Sequence, residues 1–298
     1  MTKGRVLVTG RYGFTGHYVA NALSTAGWQV WGGCSHPSED AGSFDRVADL
    51  TDATSVVKLI EEIRPDAVVH LAGIAFVAHG KADFFYCVNL LGTRNLLKVL
   101  ARGGYGKNGV VLASSANVYG NARVSPVSEN TQPAPVNDYA VSKLAMEHMA
   151  KLFSSQLPIV ITRPFNYTGV GQDLKFLVPK IVSHFRKRAP RIELGNLDVA
   201  RDFSDVRDIA NVYTSLLDAK DVRGKTVNIC SGRAIALGEI VDMCRSITDH
   251  DIEIAVNPAF VRADEIKTLN GDSSQIEMLL GSLTRHPFEN TLRWMLEA

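Results

Sequence analysis

The four cysteines in this chain, Cys34, Cys87, Cys230 and Cys244, form no CxxC pair and no Cys/His group at zinc spacing. A disulfide scaffold and a bound metal therefore have no support, and buried free thiols in a reducing compartment are expected. An excess of either charge is missing too. Lys and Arg number 32 against 31 Asp and Glu, a net +1, so no broad field exists to attract nucleic acid or an anionic membrane. Any anionic partner has to be gripped locally. The longest apolar stretch, about residues 67–78, is broken by His70 and Gly73 and falls short of the ~18 residues that a membrane-spanning helix needs. Met1-Thr2-Lys3-Gly4-Arg5 leads directly into a strand-like segment with no signal-peptide apolar region, and a cytoplasmic protein is expected. Internal repeats and low-complexity segments are also lacking. The rest is ordinary globular composition: 298 residues, 46% apolar and 21% charged, enough for two average domains with a sizeable core.

Val6-Leu7-Val8 is a continuous apolar run of the kind found in a strand covered on both faces. Val19, Ala22, Leu23 and Ala26 then recur at helical spacing, and Gly27 stands where a helix C-terminus takes positive φ. Trp28 to Trp31 is a second strand candidate. Thr51 or Asp52 caps a helix carrying Val56, Val57, Leu59, Ile60 and Ile63, which Pro65 closes before a strand from Ala67 to Leu71. Helical stretches at about 82–100 and 138–153 precede the strand-like runs Val110-Val111-Leu112-Ala113 and Ile159-Val160-Ile161. Strands alternating with helices of this length imply βαβ units and a parallel, doubly wound sheet. After Pro164 the rhythm loosens at Gly169, Gly171, Gly195 and Gly224, although Thr226 to Ile229 still reads as a strand.

Gly10-Arg11-Tyr12-Gly13-Phe14-Thr15-Gly16 is a GxxGxxG turn between the first strand and the first helix. Glycines there let the backbone turn tightly, approach a pyrophosphate, and pack the helix on the strand with its N-terminus facing the phosphates. The expected fold is thus α/β: a Rossmann-type doubly wound parallel sheet with a smaller, partly interleaved C-terminal substrate lobe. Residues 1–165 plus about 201–230 are expected to bind the dinucleotide, and about 166–200 with 231–298 the substrate. An NAD-preferring loop usually has an acid about 20 residues on, to bind the adenosine ribose. Here the second strand is followed by Gly32-Gly33-Cys34-Ser35-His36-Pro37-Ser38, and the first acid is Glu39. NADP(H) is therefore favoured over NAD(H), with Arg11, Ser35 and His36 able to receive a 2′-phosphate, though Arg11 reads equally as a solvated loop residue. Asp49 and Leu50 are placed to contact the adenine, with helix capping the other reading of Asp49.

Tyr139-Ala140-Val141-Ser142-Lys143 sets a phenol and an ammonium four residues apart on one helical face. A cation alongside favours the phenolate and brings its pKa toward the working range for acid/base chemistry. Ala113-Ser114-Ser115-Ala116-Asn117-Val118-Tyr119-Gly120 begins at the C-terminal end of an apolar strand, where doubly wound folds bind ligands. With His70-Leu71-Ala72-Gly73, Asn89-Leu90-Leu91-Gly92-Thr93 and Arg163-Pro164-Phe165-Asn166, these segments resemble, in order and over essentially the whole chain, the extended short-chain dehydrogenase/reductase family in its nucleotide-sugar branch. The resemblance implies that Tyr139 is the general acid/base, that Lys143 lowers its pKa and binds the nicotinamide ribose, and that Ser115 hydrogen-bonds the reacting oxygen. It also places Gly10, Arg11, Tyr12, Gly13, Phe14, Gly16, Leu71, Ala72, Gly73 and Asn89 around the cofactor. Tyr119 reads as packing.

Family members that eliminate water across C5 and C6 carry an acidic pair after the serine. Here Ala116 and Asn117 stand there, which argues against 4,6-dehydration and leaves C4 reduction or C4 epimerisation. Three segments, Gly195-Asn196-Leu197-Asp198 with Arg201-Asp202-Phe203-Ser204-Asp205-Val206-Arg207-Asp208, Asn166-Tyr167-Thr168-Gly169-Val170-Gly171-Gln172, and Val227-Asn228-Ile229-Cys230-Ser231-Gly232, are similar to those of the family's reductases of GDP-linked 4-keto-6-deoxymannose. Val170 and Ala263 replace the usual prolines, which leaves the register around Glu265 open. The resemblance implies Asn166, Arg201 and Arg262 on the diphosphate, Asn196 near the guanine or its ribose, Glu265 near the ribose hydroxyls, and Ser115 and Asn117 near the sugar. The expected reaction is NADPH-dependent reduction of a GDP-4-keto-6-deoxyhexose to GDP-rhamnose or its C4 epimer. Its rivals are a C4 epimerase holding NAD, a reductase of a UDP- or dTDP-linked sugar, and a non-enzymatic redox-sensing dinucleotide-binding protein. A homodimer is also implied, built from the 82–100 and 138–153 helices, whose Leu96, Leu97, Met146 and Met149 suit either an interface or the core.

Overall fold

Consecutive apolar positions, as in Val6-Leu7-Val8 and Val110-Val111-Leu112, are satisfied only where both faces of a strand are covered. A computed structural model, describing residues 2–39, 41–75, 81–219, 221–260 and 266–298, shows how the chain achieves this. The first half runs β1 (Arg5–Thr9), α1 (Phe14–Thr25), β2 (Gln29–Cys34), β3 (Asp45–Val47), α2 (Ala53–Ile63), β4 (Ala67–His70) and α3 (Ala82–Phe85). A π-helical segment (Tyr86–Gly92) leads on into α4 (Thr93–Gly103), β5 (Gly109–Ala113), a 3-10 turn (Ala116–Tyr119), α5 (Asp138–Lys151) and β6 (Ile159–Pro164). The second half continues with β7 (Asn166–Thr168), α6 (Leu177–Arg186), β8 (Arg191–Leu194), β9 (Ala200–Asp205), α7 (Val206–Asp218), β10 (Thr226–Ile229) and β11 (Ala234–Ala236). It ends with α8 (Leu237–Thr248), β12 (Glu253–Val256), β13 (Thr268–Leu269), α9 (Ser274–Leu280) and α10 (Phe288–Glu297).

Seven strands form one parallel sheet in the order β10-β6-β5-β4-β1-β2-β3. The order reverses between β1 and β4, which opens a crevice at their C-terminal ends. One face is covered by α1 and α7 through Val19, Leu23, Ile209 and Tyr213, and the other by α2, α4 and α5 through Ile60, Leu96, Leu97, Leu100 and Met146. A third core joins α6, α8 and α10 through Ile181, Ile240, Val241 and Leu292. Beside it β9 collects β7, β11 and β13 into a smaller sheet, while Ile276 of α9 returns to the first core.

Several local expectations shift. The second strand starts at Gln29 and runs to Cys34, because it pairs with β1 from Arg5↔Gln29 to Thr9↔Gly33. Asp52 rather than Thr51 caps α2, accepting a hydrogen bond from the Thr54 N–H at 2.9 Å. The 82–100 stretch is not one α-helix, since the π-helical turn widens it around Asn89. Leu96, Leu97 and Met146 are fully buried core within the chain, and Met149 packs against the same core. Of the cysteines only Cys230 and Cys244 are buried, and Cys87 is exposed. No helix among the described residues is long and apolar enough to cross a membrane.

His70 shows how the strand ends are locked. Its Nδ1 lies 2.7 Å from Thr9 Oγ1 and its Nε2 lies 2.8 Å from Thr93 Oγ1. Thr93 donates its own proton to the Asn89 carbonyl, so it accepts from the imidazole, and the ring is the neutral Nε2–H tautomer. Burial pushes its pKa down to about 3. The unfolded chain binds this proton below about pH 6.5 and the folded chain only below about 3, so stability falls as pH drops through that window. His70→Gln should reduce the stability lost between pH 7 and pH 5 by about 2 kcal/mol, read from urea unfolding at the two pH values.

Candidate active site

The crevice is assembled by close backbone approaches. Gly10, at φ +72°, lies where any Cβ would meet the Ala72 backbone N at 2.9 Å, and a Cβ on Gly16 would lie 2.1 Å from the Gly10 carbonyl oxygen. Gly13 caps α1 without any side-chain cap, so the first N–H groups of the helix open onto the crevice. A Cβ on Gly73 would press on Asn89 Oδ1 at 2.9 Å and on Lys143 Nζ at 3.3 Å. The glycine loop, the 71–73 loop, the π-helical segment and α5 therefore meet at one place.

Asn89 is fixed there by the Ile74 N–H at 2.9 Å and by its own bond to Ser142 Oγ at 3.0 Å. On α5, Tyr139 and Lys143 are both buried, on the face turned toward β5. Ser115 caps the 3-10 turn through the Asn117 N–H and favours ionisation of the Tyr139 phenol, while Lys143 Nζ donates to the Ala113 carbonyl at 2.8 Å. Phe85 closes one side of the Tyr139 ring at 6.0 Å. The phenol differs from the expectation: burial outweighs every other influence and pushes it up to about 12. Burial also pushes the Lys143 ammonium down to about 8, with Glu147 pulling the other way. The pair is thus a protonated phenol beside a cation that loses its proton just above neutral pH.

At the outer end of the crevice, Arg11 lies over Gly32 and 5.5 Å from the Tyr12 ring, with its Nη1 buried and holding no hydrogen-bond partner. Ser35 and His36 are exposed and bonded to each other at 2.9 Å. Asp49 is exposed, and its bonds from the Thr51 N–H and hydroxyl hold its carboxyl below the usual range. It closes a turn instead of capping α2. Leu50 is buried against Gly92. Leu71 and Ala72 pack on opposite cores. Phe14 stacks on Tyr167, whose hydroxyl lies 2.8 Å from Thr15 Oγ1. Asn117 and Asn166 are exposed, and Asn166 Nδ2 donates to the Asp202 carbonyl at 3.2 Å. Arg201 donates to the carbonyls of Ala200 and Ile266, both at 2.9 Å, and Asn196 is half-buried between β8 and β9. Arg262 and Glu265 lie outside the described residues.

Sequence reasoning missed two groups. Asp45 accepts from the Tyr12 hydroxyl at 2.6 Å and stands beside Gly32, placed there by the β2–β3 pairing Gly32↔Asp45. Glu147 and Arg163 form a buried ion pair beneath the trio. Glu147 was legible as the next residue of the Tyr139–Lys143 helical face, four beyond Lys143, whereas Asp45 had no local signal.

The sequence model of the GDP-mannose 4,6 dehydratase family matches residues 7–295. The chain belongs to this family. A GDP-6-deoxy-D-talose 4-dehydrogenase of Aggregatibacter actinomycetemcomitans is 37% identical over 93% of this chain and 92% of its own length. A GDP-6-deoxy-D-mannose reductase of Pseudomonas aeruginosa is 31% identical over 98% and 96%. Among solved structures, RMD from Pseudomonas aeruginosa in complex with NADPH superposes with a TM-score of 0.85 at 29% identity over 99% of this chain and 98% of that one. A Burkholderia cenocepacia J2315 protein provisionally called an epimerase superposes with 0.93 at 46% identity, again over 99% and 98%. The family's doubly wound α/β fold is the one observed here.

The glycine cradle and the uncapped α1 N-terminus fit the pyrophosphate of a dinucleotide. Gly16→Ala should weaken dinucleotide binding by more than about tenfold in a calorimetric titration, because the obstructing atoms are backbone. Gly238→Ala, whose Cβ would meet nothing closer than 3.6 Å, should leave binding unchanged.

Proposed function

We propose that the protein is a nicotinamide-dependent oxidoreductase that reduces the C4 ketone of a GDP-linked 4-keto-6-deoxyhexose. The observation that carries this reading is the burial of Tyr139, Ser115 and Lys143 together, with the Lys143 ammonium on the Ala113 carbonyl, at the sheet edge where the glycine loop begins α1. The substrate class follows the two curated relatives, which name GDP-6-deoxyhexoses.

NADPH, held by the glycine loop at the uncapped N-terminus of α1, would supply the hydride. Tyr139, held protonated by burial, donates its proton to the ketone oxygen as negative charge develops there, and Ser115 holds that oxygen by its hydroxyl. The Lys143 cation stabilises the phenolate that remains, and Asn89 holds the 73–74 loop against it. The family's name does not bring dehydration with it. Ala116 is buried and carries no acid, and Asn117 at the rim has no proton to exchange, so the carboxyl pair for eliminating water is missing. NADP(H) is preferred in this reading, since a 2′-phosphate would give Arg11 Nη1 the partner it lacks.

Residues 1–165 with about 201–230 form the cofactor half of the reading. About 166–200 with 231–298 form the substrate half, with Asn166, Asn196, Arg201, Arg262 and Glu265 on the nucleotide and α9 reaching back to the first core. The setting is cytoplasmic. The resemblance to the Burkholderia protein favours a second reading, C4 epimerisation, in which no net cofactor is consumed.

Incubation with GDP-4-keto-6-deoxymannose should consume one equivalent of NADPH, with the C4 configuration read by NMR; inversion of C4 in a GDP-6-deoxyhexose that already carries the 4-hydroxyl, with no net cofactor consumed, would establish the epimerase instead. Tyr139→Phe should keep cofactor binding and lose about 10²–10⁴-fold in kcat. In the wild type, kcat should fall as pH rises through about 8, where Lys143 loses its proton.

A homodimer belongs to the same reading, but through residues other than those the sequence suggested. Phe84, Leu91 and Val141 are exposed apolar residues on α3, the π-helical segment and α5. Leu91→Asp should convert a dimer to a monomer in light scattering without lowering the unfolding temperature by more than about 4 °C.

A further inference from the structure

The catalytic strand ends rest on a buried ion pair that no step above uses. Glu147 lies one helical turn beyond Lys143 on α5 and is 2% exposed. Its Oε1 accepts from Ser114 Oγ at 2.5 Å and from Arg163 Nε at 2.9 Å, and its Oε2 accepts from Arg163 Nη2 at 2.6 Å. Arg163, near the end of β6, is also buried and donates through Nη1 to the Tyr119 hydroxyl at 3.0 Å. Tyr119 in turn donates to Asn228 Oδ1 at 2.7 Å, and Asn228 Nδ2 donates to the Val127 carbonyl at 3.0 Å. The network therefore ties α5, the end of β5, the 3-10 turn, β6 and β10 at one point. Each catalytic residue is attached to it along the chain: Ser114 precedes Ser115, Glu147 follows Lys143 on the same helical face, and Tyr119 ends the turn that Ser115 caps.

The groups around the Lys143 ammonium can be named element by element. From α5 come Tyr139, a protonated phenol, and Glu147. From β4 comes His70, which burial keeps neutral. From β5 and the π-helical segment come the Ala113 carbonyl and Asn89, which carry no charge. From β6 comes Arg163, whose guanidinium is turned onto Glu147 and Tyr119. Of the two ion-pair partners, the carboxylate is the one that acts on Lys143, opposing the loss of its proton on burial.

We propose that Glu147 is a positioning residue for the reduction. Held by Arg163 and Ser114, its carboxylate is the fixed buried countercharge one helical turn from the Lys143 ammonium, and it anchors the segment that presents Ser115. The proposal deepens the reductase reading and concerns the same site.

The test follows the Lys143 proton directly. Protein carrying 13C at the lysine ε position is titrated by NMR without substrate or cofactor, with the Lys143 resonance assigned through Lys143→Arg. The pH profile of kcat is recorded alongside. The wild type should titrate near 8. Glu147→Gln, isosteric but uncharged, should move the midpoint down by about one unit or more. Activity should then fall about fivefold or more at pH 8 and stay within about twofold of the wild type at pH 6. Glu147→Asp keeps the charge while shortening the reach to Ser114 and Arg163, and should hold the midpoint near that of the wild type.

A role in packing alone reverses this order, because Gln preserves the shape and Asp does not. An unmoved midpoint in Glu147→Gln, or a larger drop in Glu147→Asp, overturns the proposal. Should Glu147→Gln not fold, its Arg163 being left buried without a countercharge, Glu147→Gln/Arg163→Met removes both charges. It should also titrate below the wild type, and an unmoved midpoint there overturns the proposal equally. Failure of the wild type to reduce a GDP-ketosugar would remove the reductase reading and leave the titration result standing.

Discussion

The bidentate pair between Arg163 and Glu147 is the interaction on which the architecture of the site depends. Two charges taken out of water are costly to bury, and such a pair persists only where nearly every donor and acceptor on it is satisfied. Ser114 and Tyr119 supply those bonds, and Asn228 holds Tyr119 in turn. Loss of one partner from such a pair costs about 3–5 kcal/mol because the other charge is stranded. The geometry therefore tolerates little drift, and that stiffness is passed to α5 and to the end of β5. The tyrosine and lysine sit on α5 and the serine caps the 3-10 turn, yet they are held by a common clamp.

Above the clamp, the crevice is shaped by closeness of backbone. Gly10 against Ala72, Gly16 against the Gly10 carbonyl, and Gly73 against Asn89 and Lys143 leave no room for a side chain at any of the three contacts. The same approaches that open α1 to an anion also bring the 71–73 loop onto the lysine. The glycine cradle and the Tyr139–Lys143 face are thus mechanically adjacent, braced by Asn89 and His70, both hydrogen-bonded and buried.

Much of the fold was legible because its signals are local. Valine-rich runs, a glycine turn ahead of an amphipathic helix, and YxxxK at helical spacing each depend on residues close in the chain. Ala116 was also informative in sequence, since an alanine carries no proton wherever the fold places it. What the sequence left open or missed shares a cause. Leu96, Leu97 and Met146 suit a core or an interface equally as letters, and the packing of α4 and α5 on the sheet made them core. Asp45 was passed over because its relation to Gly32 exists only across the β2–β3 pairing. The Tyr139 phenol was expected to be lowered by its lysine, yet the cost of burying a phenolate prevails, with only Ser115 pulling the other way.

The sequence by itself determined the strand–helix alternation, the glycine cradle, the candidate Ser115, Tyr139 and Lys143 trio and the missing carboxyl pair of a dehydratase, because each is a property of residue type at short spacing. Only the tertiary structure decided which charge faces Lys143, which acid meets Tyr12, and which apolar residues remain for a partner. Those depend on desolvation and on contacts between strands and helices far apart in the chain. Burial sets the energy of an ionised group more strongly than its neighbours in sequence do. It is assigned only when the sheet, its covering helices and the Arg163–Glu147 clamp are in place.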